Sequence, residues 1–259
     1  MKLLVLILGA RVAPYPEIIK NSLATWGTLA NKNTVIYDYY GNHHKTEILN
    51  EELLIGTNDV NITLKTLLAF EYAIKNIEFD YLVRIGASSY ARIDKIYDYL
   101  LTAPRNNYYA GHKLFINEVT YAAGAHLIYS RDIVKKLVEH KNEINQNQWS
   151  DDWVIGKFLE NSGYKLIDEF SFYWLCGDWP EKELLQKMYN TPKEELEVVG
   201  KWLAKFPDFI NGKKKLFDYP SFFWSTFTPS AAEDVTLDKW FREVAQPIRR
   251  IAQQYGSFV

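Results

Sequence analysis

Phe79-Asp-Tyr-Leu-Val-Arg-Ile-Gly-Ala-Ser-Ser-Tyr-Ala-Arg-Ile-Asp94 is the stretch around which the chain organises itself. Tyr81 to Ile85 is apolar and partly β-branched, entered from a charged segment and left through Gly86, the pattern of a short buried strand. Gly86-Ala87-Ser88-Ser89 follows, small residues whose backbone and hydroxyls let a ligand approach closely. A helix-like segment begins near Asp94. In open α/β sheets ligands sit at the carboxyl ends of strands, so this run is the first candidate for a site. The same residues also fit a tight surface turn.

Working back toward the N-terminus, Ile62 to Lys75 is a strongly apolar helix with Glu71 and Lys75 at i,i+4 spacing. Asn58-Asp59-Val60-Asn61 offers it caps. Asn61-Ile62-Thr63 also matches a glycosylation acceptor, but reads here as part of the cap. Thr34 to Tyr40 is a strand closed by Gly41-Asn42. His43 and His44 sit in the polar loop beyond. The pair could serve as metal ligands, but adjacent residues on an extended segment point to opposite sides, so solvated loop histidines are the expectation. Glu17 to Leu29 has apolar residues at helical spacing, and Lys2 to Leu8 is a Leu/Val/Ile run of the kind buried on both faces.

Forward of the central stretch, Asp94 to Leu101 reads as a helix and Asn107 to Gly111 as a strand. Tyr121 to Ser130 is small and apolar, and a helix runs from Arg131 to about His140. Ser150 to Leu159 is a capped helix, and Lys165 to Phe172 returns to strand. Alternating strands and helices predict an α/β layered sheet over residues 1–179. From about Pro180 the texture changes. Glu181 to Tyr189, Pro192 to Lys205 and Thr236 to Tyr255 are amphipathic, so residues 180–259 read as a helical C-terminal extension packed on the sheet domain. Its aromatic segment, Phe217 to Phe227, fits a buried seam, an acceptor platform, an oligomer contact or a membrane-edge anchor.

Composition removes several function classes. The 259 residues carry 30 basic and 32 acidic side chains, a formal charge of −2, so no global field points to nucleic acid or to a membrane surface. One cysteine, Cys176, leaves no intrachain disulfide and no cysteine-based zinc cluster. Leu3 to Leu8 is far short of the roughly 20 residues of a membrane span, and no cleavage-type tail follows it. A cytoplasmic setting is the expectation. Aromatic content of 15% suits both a core and flat, hydroxylated ligands such as sugars.

Four stretches, in order, carry a family resemblance. Leu3 to Leu8 with Ile18-Ile-Lys-Asn-Ser-Leu-Ala-Thr-Trp-Gly27 resembles the opening of the fringe-like β-1,3-glycosyltransferases, where a first strand precedes an R-x-T-W-G helix end. Asn58-Asp-Val-Asn-Ile-Thr-Leu-Lys-Thr66 is similar to that family's N-L-T-x-K-T helix. Tyr81 to Tyr90 sits where the family carries Y-x-x-K-x-D-D-D-x-F. Tyr121 to Asp132 and Ser150 to Gly156 resemble its C-S-G-x-G-Y-x-x-S and E-D-V-x-x-G blocks. The match covers about residues 2 to 170.

The resemblance implies a GT-A, Rossmann-like mixed sheet flanked by helices. It implies an inverting transfer of sugar from a nucleotide sugar, a UDP-sugar by expectation, to a glycan or other hydroxyl acceptor. Asp152 matches the aspartate of the E-D-V block and would act as general base, with Asp151 as its alternative. Arg11, Asp38, Lys65, Arg84, Gly86, Ser88, Ser89 and Gly124 would line the donor site, with His112 and Lys113 as further cations. Trp149 and Trp153 would stack on the acceptor. The chain departs from the family where Gly86-Ala87-Ser88 replaces the acidic triplet that holds a divalent metal, and it has no histidine after His140. Hard cations need charged oxygen ligands, so manganese or magnesium is not expected to be essential. The competing reading is a non-catalytic carbohydrate- or nucleotide-binding protein of this fold, or an assembly subunit with a homo-oligomer contact in the extension.

Overall fold

The computed structural model describes residues 1–13, 15–87, 89–146 and 150–168, together with the backbone of 171–174 and 223–226. The chain divides into two compact units. Met1–Ile19, Ala30–Ala87 and Asp94–Phe170 form one, and Lys20–Leu29, Ser88–Ile93 and Ser171–Val259 the other.

The first unit is built on an eight-stranded mixed sheet. In chain order its strands are β1 (Leu3–Leu8), β2 (Thr34–Tyr40), β3 (Glu47–Leu49), β4 (Glu52–Leu54), β5 (Tyr81–Gly86), β7 (Tyr109–Ile116), β8 (Val119–Ser130) and β9 (Leu166–Ile167). Their spatial order is β3-β4-β2-β1-β5-β8-β7-β9. β1 lies between β2 and β5 and runs parallel to both. The order of connection reverses there, the switch point at which α/β sheets bind ligands beyond their strand ends. β1 is central, which is why Leu3 to Ile7 are each at most 1% exposed and carry no alternating pattern.

Helices α2 (Ile62–Asn76), α4 (Arg131–Glu139) and α5 (Asp151–Asn161) cover one face. Leu4, Leu6, Tyr39, Leu82, Leu127 and Tyr129 meet their apolar sides, among them Leu67, Phe70, Ile133, Leu137, Val154 and Ile155, in one core. Asn61 caps α2, its side chain accepting from Leu64 N at 3.2 Å. α5 comes unusually close to β8, because a Cβ on Gly156 would lie 2.3 Å from Tyr121 Cβ.

Two hairpins are built into the sheet, the short β3–β4 and the long β7–β8. Each turns through an Asn-Glu pair with positive φ at both residues: 52° and 67° at Asn50-Glu51, and 52° and 62° at Asn117-Glu118. Two-residue turns of this hand match the twist of the strands they join. Glu replaces the usual Gly, which hid the β3–β4 hairpin from the sequence reading.

The second unit, as far as described, contains β6 (Ser89–Tyr90), β10 (Ser171–Trp174) and β11 (Phe223–Thr226) in a three-stranded sheet of order β10-β11-β6. Part of the aromatic segment is therefore strand. The helices expected in 181–189, 192–205 and 236–255 lie outside the described residues.

Several expected elements differ in extent, among them the strand expected over 107–111, which is β7 (Tyr109–Ile116). The helix expected over 17–29 is α1 (Tyr15–Leu23) followed by a 3-10 turn at Trp26–Leu29. Thr25 Oγ1 donates to Asn21 O at 2.7 Å and its N–H to Ser22 O, which tightens the turn. The helix expected from Asp94 is α3 (Ile93–Leu100). The strand expected over 165–172 is two pieces, β9 and β10, in different sheets.

Candidate functional site

Register sorts the predicted site residues. Asp38 is level with Ile7 of β1, whereas Arg84 is level with Leu6. Successive side chains leave opposite faces of a strand, so Asp38 and Arg84 stand on opposite faces of the same sheet end. Two clusters result.

The first cluster lies under α5. Arg84 is 3% exposed, and its Nη2 donates to Asp151 Oδ1 at 2.6 Å in a pair whose side chains are both at most 5% exposed. Thr66 Oγ1 donates to the other Asp151 oxygen at 2.8 Å and is itself 2.9 Å from the Tyr39 hydroxyl. Arg84 Nη1 donates to Gly124 O. Burial works against the Arg84 charge, but Asp151, then Tyr39 and Asp152, hold the guanidinium firmly cationic. Burial pushes the Asp151 carboxyl above its ordinary value, while Arg84 pulls it back. His126, on β8 level with Ile85, stands on the opposite face of the sheet from Arg84; burial and then the Arg84 charge drive it down to about 3, so its imidazole is neutral at pH 7.

Asp152 sits one residue beyond Asp151 in a partly exposed position. Its Oδ2 accepts from Gly124 N at 2.8 Å, and its Oδ1 from Ser150 Oγ at 2.7 Å and Trp153 N at 2.8 Å. A carboxylate has about four lone-pair sites, so three donors fix its orientation and one site remains. Ser150 is the helix cap by position but spends its hydroxyl on Asp152 instead of a backbone N–H. Gly124 is gripped on both sides of its backbone, the carbonyl by Arg84 and the N–H by Asp152. A Cβ there would lie 3.0 Å from Asp152 Oδ2 and 3.3 Å from Arg84 Nη1. Trp153 Nε1 donates to Ile116 O at 3.2 Å, and Lys157 Nζ lies 5.0 Å from the centre of the Trp153 ring.

The second cluster surrounds the exits of β1 and β2. Tyr40 donates its hydroxyl to Asp38 Oδ2 at 2.7 Å, and burial raises the carboxyl of Asp38 above its usual value. Arg11 lies over the Tyr40 ring, 3.9 Å from its centre, and forks onto both oxygens of Glu52. Its side chain is still 42% exposed. Lys65 differs sharply. It is 1% exposed, and its ammonium donates to Gly9 O at 2.8 Å, Asp59 O at 3.2 Å and Asp59 Oδ1 at 2.8 Å. An ammonium has three donors, so none is left for a ligand. Asp59 also accepts from Arg11 N and Gly41 N, which fastens the exits of β1 and β2 to the start of α2.

Gly86 ends β5. Ser89 belongs to β6 of the second unit and is fully buried. Ser88 and Trp149 lie outside the described residues. The expectation that His43 and His44 point apart is overturned: their ring centres are 4.3 Å apart, where the chain bends at His44. Thr66, Glu52, Asp59 and His126 were not singled out by the sequence reading. Thr66 and Asp59 lie in the Asn58 to Thr66 block and His126 in the Tyr121 to Asp132 block, whereas Glu52 falls in no motif.

No protein-family model matches the chain, and no curated protein matches it. Among solved structures, the apo form of the glycosyltransferase GlyE of Streptococcus pneumoniae TIGR4 is similar, with a TM-score of 0.41 and 13% identity over 99% of this chain and 63% of GlyE. A second GlyE crystal structure gives 0.43 and 14%, again over 99% of this chain and over 64% of that one. 4-Diphosphocytidyl-2C-methyl-D-erythritol synthase from Anaerococcus prevotii gives 0.39 and 9%, over 64% of this chain and 85% of that enzyme. The chain thus spans less than two thirds of GlyE. All three likenesses fall below a TM-score of 0.5 and 15% identity, so activity has to be argued from the site itself.

Proposed function

We propose that the chain is a GT-A-type glycosyltransferase that moves a sugar from a nucleotide sugar to a hydroxyl acceptor with inversion. The observation that carries this is Asp152: an oriented, partly exposed carboxylate with one free acceptor site, beside the Gly124 backbone. An inverting transfer needs such a group to take the acceptor proton while the hydroxyl oxygen attacks the anomeric carbon and the nucleoside diphosphate leaves. Asp151 is committed to Arg84, which favours Asp152 over its neighbour for that role.

In this reading the donor lies across the end of the sheet at its switch point. Asp38, with Tyr40 orienting it, accepts from ribose hydroxyls. Arg84 and Lys65 have their charges buried and engaged, so Arg11 is the cation best able to meet the diphosphate, exchanging Glu52 for phosphate oxygens with the same bidentate geometry. Gly86 and Gly124 allow close approach. Trp153 would border the acceptor.

Release of UDP from UDP-sugars, with and without sugar acceptors, tests the proposal. Asp152→Asn keeps size and hydrogen-bonding shape and should lower turnover by about 10²–10⁴-fold. The absence at 86–88 of a carboxylate favours the alternative, a non-catalytic nucleotide- or carbohydrate-binding protein. Tight UDP binding by calorimetry, with no turnover of any donor, would establish that alternative instead.

A further inference from the structure

The loop between β2 and β3, together with the first residue of β3, gathers metal-binding chemistry that the proposed transfer does not use. His43, His44 and Glu47 each offer a ligand atom, and the three atoms lie within 4.8 Å of one another. His43 Nε2 is already 2.9 Å from Glu47 Oε1. The other Glu47 oxygen is held by Lys45 Nζ at 2.7 Å, which leaves Oε1 as the side facing the imidazoles. The loop is anchored at both ends: Asn42 N donates to Thr57 O, and Gly56 N donates to Thr46 Oγ1 at 3.1 Å. The backbone that carries the three ligands is thus fixed before any ion arrives.

We propose that His43, His44 and Glu47 form a binding site for a divalent transition-metal ion of the zinc type. Two imidazoles and one carboxylate are a donor set that suits zinc, copper or nickel and not magnesium or calcium, which take oxygen ligands. Ligand bonds of about 2.0–2.2 Å require donors closer together than 4.8 Å, and side-chain rotation of the partly exposed histidines supplies that closure. Three protein ligands leave a fourth position for water. Lys45 stays on the outer oxygen and orients the carboxylate, as outer partners of metal ligands do. The ion would pin the loop that follows the exit of β2, a structural role separate from the transfer reaction.

Calorimetric titration of the chelator-treated full chain with zinc chloride, and in parallel with magnesium chloride, tests the site. One saturable zinc equivalent and no magnesium binding are expected. His43→Ala, His44→Ala and Glu47→Gln should each weaken zinc at least by the roughly 10–100-fold that loss of even an outer partner costs. Melting temperatures without metal should match the unsubstituted chain, since His43 and His44 lie in a loop and Glu47 at the very start of the edge strand β3, none of them buried. Glu47→Gln, the mildest change, keeps the comparison valid if an alanine variant unfolds. Unchanged zinc affinity in the doubly substituted His43→Ala, His44→Ala chain would place the ion elsewhere and overturn the proposal, as would a lack of saturable binding by the unsubstituted chain.

Discussion

Asp151 and Asp152 follow one another at the start of α5, yet their carboxylates end in different surroundings. Asp151 is 3% exposed and closed off by Arg84 and Thr66. Asp152 is partly exposed and held by Gly124, Ser150 and its own helix start. A single residue step, about 100° around the helix, thus separates a buried carboxylate paired with Arg84 from one that is partly exposed. Arg84 couples the two, because it pairs with Asp151 and grips the Gly124 whose N–H orients Asp152.

Asp151→Asn should destabilise the fold by roughly 3–5 kcal/mol, the cost of leaving the buried Arg84 charge uncompensated. Arg84→Ala should cost a similar amount, through Asp151, rather than act chiefly on nucleotide affinity. The double change Arg84→Met, Asp151→Leu should recover most of the loss, since hydrophobic residues often replace a buried pair without penalty. Urea unfolding reads all three. A loss below about 1 kcal/mol for Asp151→Asn would mean that the pair is not what holds this end of the sheet.

Gly124→Ala should cut activity while leaving the chain folded. Its Cβ would crowd Asp152 Oδ2 at 3.0 Å and Arg84 Nη1 at 3.3 Å, so the carboxylate must give way by a few tenths of an ångström. Overpacking of this kind costs about 1–3 kcal/mol. Turnover measured beside a thermal melt separates the effects. Full activity at an unchanged melting temperature would show that Gly124 does not set the position of Asp152.

His126 should make the protein acid-sensitive well above the carboxylate range. Its folded value is about 3 against an ordinary 6.5, a depression caused first by burial and then by Arg84. As pH falls, the unfolded chain takes up this proton first. Stability from the neutral imidazole is therefore complete above about pH 6.5 and is lost toward pH 3, by up to ~1.4 kcal/mol per unit. Urea midpoints between pH 7 and 5 should fall less steeply for His126→Gln. Parallel slopes would remove His126 from the account.

Transfer activity should survive chelation. Gly86, Ala87 and Ser88 stand where metal-dependent members of the resembled family carry carboxylates, and an ion held only by phosphate, hydroxyls and water is easily stripped. Initial rates with and without EDTA decide the matter. Activity lost with EDTA and restored by manganese or magnesium would show that another carboxylate supplies the ligand.

The order of strands and helices was legible in the sequence. Thr34 to Tyr40 and the Ile62 helix can be read within a residue or so because periodicity and caps are local properties. The Leu/Val/Ile run of β1 announced a strand buried on both faces. Asp151-Asp152 at a helix start, and small residues at 86–89 and 124, were visible as candidates for the same reason. Tertiary structure alone decided which partners each candidate meets. Lys65 reads as an available cation on a helix, but the fold brings it Gly9 O from 56 positions away and uses every donor. Arg84 meets Asp151 across 67 positions in a buried pair that the spacing of neighbouring residues does not announce. Strand register, a one-residue matter of long-range pairing, put Asp38 and Arg84 on opposite faces. Such outcomes depend on burial and on partners distant along the chain, and neither is encoded in the spacing of neighbouring residues.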